Sequence, residues 1–295
     1  VKKRLIPSSA ALFLAAATVA AFPVLQAPAA SAAPMSGSGP GQNLSAITSS
    51  SWQTNNTVWE IAPVNGNVFV GGSFTSVRPP GDALGTGEVA RTYLAEFDAS
   101  TGALETAFDP TLDGMVTAMA LSPDGSTLYI GGSFTHVGTA FRNHLAAFNT
   151  ATGALSTTWV PNSGSPVLAL AVSPDGSNVY VGGSMGKLDS VARTDAGEVT
   201  ASTGAIEPWA PNLNGTVTTI AVAADNSRVL VGGYFSQFNG APQQAVIDTD
   251  ATTGAANILH SIEPNQSGCT STVKDIIVGS VTAQNPAGIA YIASE

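Results

Sequence analysis

From residue 57 onward the chain alternates short runs of β-branched and aromatic residues with turn-forming clusters, and the same pattern returns several times. An apolar run closes on a glycine pair at Val68-Phe69-Val70-Gly71-Gly72, Leu128-Tyr129-Ile130-Gly131-Gly132, Val179-Tyr180-Val181-Gly182-Gly183 and Val229-Leu230-Val231-Gly232-Gly233, with steps of 60, 51 and 50 residues between first glycines. A second marker, Thr-Gly, ends at Gly102, Gly153, Gly204 and Gly254, with steps of 51, 51 and 50. Two independent markers on one period define an internal repeat. In the second copy, residues 116–121 form a nearly unbroken apolar run, which predicts an inner strand buried on both faces. Ser122-Pro123-Asp124-Gly125 is a turn with Pro in its second place and Gly in its fourth. Strands are predicted over 127–134, over 144–149 and, after a turn at 150–153, over 154–160 up to Pro161.

A four-stranded sheet of this length cannot bury both faces alone, so neighbouring units must stack, and four-strand units of ~40–50 residues close radially. The expectation is therefore an all-β chain whose residues 57–295 form a β-propeller of four-stranded antiparallel blades, about fifty residues each. It comprises four blades and the start of a fifth, incomplete at the C-terminus. A two-sheet sandwich gives no reason for a fixed period. Residues that return in every copy are read as serving the blade: Arg91, Arg142 and Arg193 by pairing or packing within a sheet, and Phe108, Trp159 and Trp209, each two places before a Pro, as apolar wedges between sheets. The double glycines are expected where backbones approach closely.

The N-terminus reads differently. Lys2, Lys3 and Arg4 precede an Ala/Leu/Val-rich stretch that ends in Ala30-Ser31-Ala32, which predicts a signal peptide over 1–32 cleaved after Ala32. Residues 33–56 are assigned to a flexible segment ahead of the repeats. The chain carries a net charge of −10, which becomes −13 once the three basic leader residues are removed. An acidic chain lacks the basic face that nucleic acid or an anionic membrane surface requires, so neither is an expected partner, and no membrane insertion is expected after cleavage. Charged residues make up 10% of the chain, against ~25% for typical soluble domains, so turns and hydroxyls replace the Lys/Glu surface of a helical protein.

The unit Gly131-Gly132-Ser133-Phe134-Thr135-His136-Val137, then Arg142-Asn143-His144-Leu145-Ala146-Ala147-Phe148, then Thr152-Gly153-Ala154-Leu155 and Ser173-Pro174-Asp175-Gly176, resembles the delta-sixty type of bacterial β-propeller repeat. The resemblance covers residues 57–295. It implies a secreted or surface protein, often with PKD-type modules, and no particular chemistry. Ala147, Asn149, Thr152, Gly153 and Trp159 are also similar to the tryptophan-docking motif of quinoprotein dehydrogenases, whose propellers hold pyrroloquinoline quinone and calcium. In that family the motif joins blades and does not touch the cofactor.

The chemistry-bearing residues form no recognisable constellation. His136, His144 and His260 lack metal-ligand spacing, and His136 and His144 stand where other copies carry Ser76 or Lys187, and Tyr93 or Asp195. The Asp-Gly pairs are turn residues. No catalytic, cofactor or metal site is assigned, and no cofactor is expected. Departures from the repeat are the better guide. The first copy carries an insertion over 78–88, and its Arg78, Asp82 and Glu88 are the candidate binding loop. Another irregular stretch spans 260–271 and holds Cys269, the single cysteine, expected either to pair with a partner outside this chain or to stay free. The functional expectation is a secreted or cell-surface scaffold whose loops bind an extracellular protein or glycan, without catalysis, monomeric when full length. The alternative is a quinoprotein-like or lyase-type enzyme with its site in the central channel or in missing blades.

Overall fold

The computed structural model describes residues 52–243, 245–256, 273–278 and 290–294, and these residues contain strands and turns but no helix. Each repeat folds into one main three-stranded antiparallel sheet and a small separate hairpin. The sheets are Val58–Val64, Asn67–Gly72 and Leu94–Asp98; then Val116–Leu121, Thr127–Gly132 and Leu145–Asn149; then Val167–Val172, Asn178–Gly183 and Ala196–Thr200; then Val217–Val222, Arg228–Gly233 and Val246–Asp250. A fifth pairing joins Val273–Val278 to Ala290–Ser294. The glycine-ending strand is the middle one of each of these four sheets. Its run is apolar throughout because both its faces are covered: Leu128, Tyr129 and Ile130 are all buried.

The glycine pairs have two separate jobs. In the second sheet the inner strand bulges between Val116 and Ala118, which pushes the carbonyl of Met115 to within 1.9 Å of where a Cβ on Gly132 would lie. Gly72, Gly183 and Gly233 meet the carbonyls of Thr57, Pro166 and Thr216 in the same way. The first glycine of each pair faces the next sheet instead. A Cβ on Gly71, Gly131 or Gly182 would lie 2.7, 2.5 or 2.4 Å from Cγ1 of Val116, Val167 or Val217, the first residue of the following inner strand. Successive inner strands therefore pack side by side, the strand at Val116–Leu121 lying between Val58–Val64 and Val167–Val172.

Aromatic residues lock the outer parts together. Phe108 stands edge-on to Phe69 of its own sheet and Phe148 of the next, with centroids 5.2 and 5.6 Å away. Trp159 packs on Tyr129 and donates from Nε1 to the carbonyl of Thr200 in the third unit, while the Tyr129 hydroxyl donates to the carbonyl of Ala201. Trp209 and Tyr180 repeat the arrangement toward Thr249 and Ala251. Hydrophobic burial drives the contact and the paired polar tips fix its orientation.

The fourth strand of each unit differs from expectation. Residues 154–160 do not form a ladder strand; their segment is reduced to a single bridge, Leu155 to Phe148, matched by Leu104 to Phe97, Ile206 to Val199 and Ala256 to Thr249. In the first three units the recurrent arginine reaches this segment. Arg142 donates through Nη2 to the carbonyl of Ser156, as Arg91 does to Thr106 and Arg193 to Glu207, so a side chain takes the acceptor just past the bridge. The chain then turns in toward Trp159 and Pro161, and a proline has no N–H to offer. Residues 134–141 likewise leave the main sheet and form a hairpin, His136–Val137 with Ala140–Phe141. Within the stretch assigned to the segment ahead of the repeats, Gln53–Thr54 pairs with Ser76–Arg78. Residues 1–32, read above as a signal peptide, and His260 and Cys269 lie outside the described residues.

Candidate functional site

Three of the four complete units close their outer rim with a polar pair running from the middle strand to its neighbour. In the first, Asn67 Nδ2 donates to Glu96 Oε1 at 2.5 Å. In the fourth, Arg228 Nη1 donates to Asp248 Oδ2 at 2.9 Å. In the third, Asn178 accompanies Glu198, which is 2% exposed. Burial lifts the Glu198 carboxyl to about 7, partly offset by its hydrogen bonding with the Tyr180 hydroxyl, the Trp209 backbone and Asn178. Glu96 is raised for the same first reason, desolvation.

The second unit departs at both positions together, carrying Thr127 and Ala147. There the rim opens into a cleft of about 690 Å³ between the second and third units. Tyr129 and Trp159 line it beside Ala147, already tied to the third unit by the bonds described above. Two turns form part of its wall, and they touch: a Cβ on Gly176 would lie 3.4 Å from Pro123. Each turn presents an aspartate. Asp124 Oδ1 accepts from the Ser122 and Ser126 hydroxyls and the Ser126 N–H, which hold its carboxyl down at about 2. Asp175 Oδ1 is held by Ser173 and Ser177 in the same manner and is also lowered. Both are fixed anions at neutral pH, and the lining contains no Lys, Arg or His.

The loop residues singled out by sequence are brought together in part. Arg78 donates to Gln53 Oε1 through Nε at 3.0 Å and through Nη2. Glu88 accepts from the Ser76 hydroxyl at 2.6 Å and from the Gly85 N–H at 2.9 Å, bonds that lower its carboxyl together with the charge of Arg78. Arg78 and Glu88 thus brace the insertion onto the edge hairpin. Asp82 lies apart at the tip, its Oδ2 next to Gly87, a position with φ +64. The small crevice between Arg78 and Glu88 is lined also by Gln53, Asn55 and Ser76 and does not reach Asp82.

The histidines follow the repeat. His136 sits 3.0 Å from Asp113 Oδ2, and Asp113 also accepts from the Thr135 hydroxyl and the Thr135 and His136 N–H groups. Burial disfavours the Asp113 anion, but those bonds prevail and leave its carboxyl well below the usual range. Asn55 and Asn214 hold the equivalent hairpins identically, so Asp113 is a hairpin anchor. His144 has φ +71, matching Tyr93, Asp195 and Ala245 in the other units. The described residues hold no group of three or more His, Cys, Asp or Glu side chains arranged to bind a metal ion.

Sequence reading looked for departures in inserted loops and passed over the substitutions inside strands. The signal was present: comparing the column Asn67, Thr127, Asn178, Arg228 with the column Glu96, Ala147, Glu198, Asp248 isolates the second unit. Neither a protein-family model nor a curated protein matches the chain.

Proposed function

We propose that the chain is an exported β-propeller scaffold of the delta-sixty type that binds an extracellular protein or glycan and carries out no reaction of its own. The propeller reading is supported by one repeated relationship: each sheet sets the first valine of its inner strand on a glycine of the sheet before it, at Gly71, Gly131 and Gly182. Equal units related by the same contact turn by the same angle each time, which carries the sheets around an axis. Export is supported by the leader-like residues 1–32, and binding by the cleft between the second and third units, with the bracing of the 78–88 loop as a second candidate surface. The test is to express the chain with its own leader, sequence the exported N-terminus, and screen the purified product against arrays of extracellular polysaccharides and surface proteins. A product that begins at Ala33 and binds an array member is the expected result. Retention of Lys2 on the exported product defeats the leader assignment, and no binding across the arrays defeats the scaffold reading.

A further inference from the structure

We infer that the cleft between the second and third units binds a neutral glycan segment, one without carboxylate, sulfate or phosphate groups. This inference rests on the scaffold reading and names the ligand class of its cleft. Thr127 and Ala147 stand in its lining at the two positions where the other three complete units carry a polar pair. Its volume of about 690 Å³ falls within the ~300–1,000 Å³ typical of ligand pockets. Tyr129 and Trp159 pack edge-on with centroids 4.9 Å apart, and each donates its polar hydrogen to a carbonyl of the third unit, so the buried floor of the cleft is fixed in place. A preformed cleft spares the ligand the cost of ordering its walls.

The chemistry of the walls selects the ligand. Asp124 and Asp175 are pinned through Oδ1 and make no bond through Oδ2 among the described residues. An ionised carboxylate oxygen is a strong acceptor for sugar hydroxyls. The remaining lining is rich in serine and threonine, suited to a ligand that both donates and accepts. With two fixed anions and no cation in the lining, an acidic sugar is repelled. An added peptide strand is disfavoured as well, because the Leu155 bridge and Arg142 on the Ser156 carbonyl already occupy the outer edge of the second sheet.

The test uses the chain's own repeat. The double variant Thr127→Asn with Ala147→Glu installs the pair found in the first and third units. Titration calorimetry with neutral hexasaccharides of glucose, mannose and N-acetylglucosamine, and with an acidic hexagalacturonide as the opposing probe, reads binding. At least one neutral hexasaccharide should bind the native chain, the double variant should bind it at least tenfold more weakly while melting at the same temperature or higher, and the hexagalacturonide should not bind. A folded double variant that binds like the native chain overturns the inference and leaves the scaffold reading standing, as does preferential binding of the acidic probe or no binding of any neutral hexasaccharide. Should the double variant melt lower, Asp175→Asn reads the same question: its binding should fall at least fivefold, and unchanged binding counts against the cleft.

Discussion

Trp209 of the third unit donates its indole N–H to the hydroxyl of Thr249 in the fourth, 3.1 Å away, and that hydroxyl in turn donates to the carbonyl of Val229. Both side chains are fully buried. Thr249→Val should therefore strand the indole N–H in the core and cost about 1–3 kcal/mol. Trp209→Phe should lose bulk as well as the donor, and the double variant should cost less than the two singles added. Urea unfolding of the four proteins measures the coupling, and strict additivity would remove the bond from the account of how units join.

Gly131 owes its identity to Val167. Gly131→Ala places a methyl where the valine Cγ1 already sits, 2.5 Å away, and the neighbour is the root of a short branched side chain that has little room to yield. The expected loss is about 1–3 kcal/mol. Val167→Ala in the same chain should recover part of it. Equal stability of Gly131→Ala and the native chain by urea unfolding would contradict the stacking contact.

Glu198 makes stability depend on pH in an unusual direction. Its folded value of about 7 lies above the ordinary carboxyl value of 4.5, so the folded state holds the proton more tightly than the unfolded one. The contribution is complete below about pH 4.5 and is lost as pH rises through about 7, with a slope of up to ~1.4 kcal/mol per pH unit between them. Asp98 and Asp124, lowered to about 2 by hydrogen bonds, act the other way but only at more acid pH. Melting temperatures from pH 5 to 7.5 should fall in the native chain and vary less in Glu198→Gln. A parallel pH course in both would show that Glu198 ionises freely.

Ile61 is 63% exposed on the outward face of the first sheet, beside an apolar cleft of about 640 Å³ lined by Trp52, Val58, Val68, Val70 and Phe97. Its counterpart in the second unit, Met119, is packed near Gly71 of the preceding sheet. An apolar face of this kind promotes association between copies. Ile61→Lys should leave the melting temperature within a degree or two and reduce self-association in sedimentation velocity. A native chain that sediments as a monomer at all concentrations would refute the expectation.

The one-dimensional pattern determined a good deal here. Period, strand positions, turn residues and the all-β class follow from local chemistry: alternating β-branched runs, Ser-Pro-Asp-Gly turns, and glycines at the left-handed positions 102, 153, 204 and 254, where φ is close to +70°. The recurrence of Arg142 and Trp159 marked them as structural, and their bonds at the Ser156 and Thr200 carbonyls give that reading its physical content. Tertiary packing decided the rest. The fourth strand is reduced to a bridge, and in the second unit the carbonyl just past it goes to Arg142, fourteen residues upstream, a partner that strand propensity does not contain. Arg78 and Glu88 turn inward because the insertion folds back onto Gln53 and Ser76. The cleft brings Thr127 and Ala147, twenty positions apart, together with Asp175, Gly176, Ala201 and Ser202 of the third unit, a lining assembled only when the third unit is laid against the second. A side chain announces itself in a sequence, whereas a space is made by neighbours, and neighbours are fixed only by the fold.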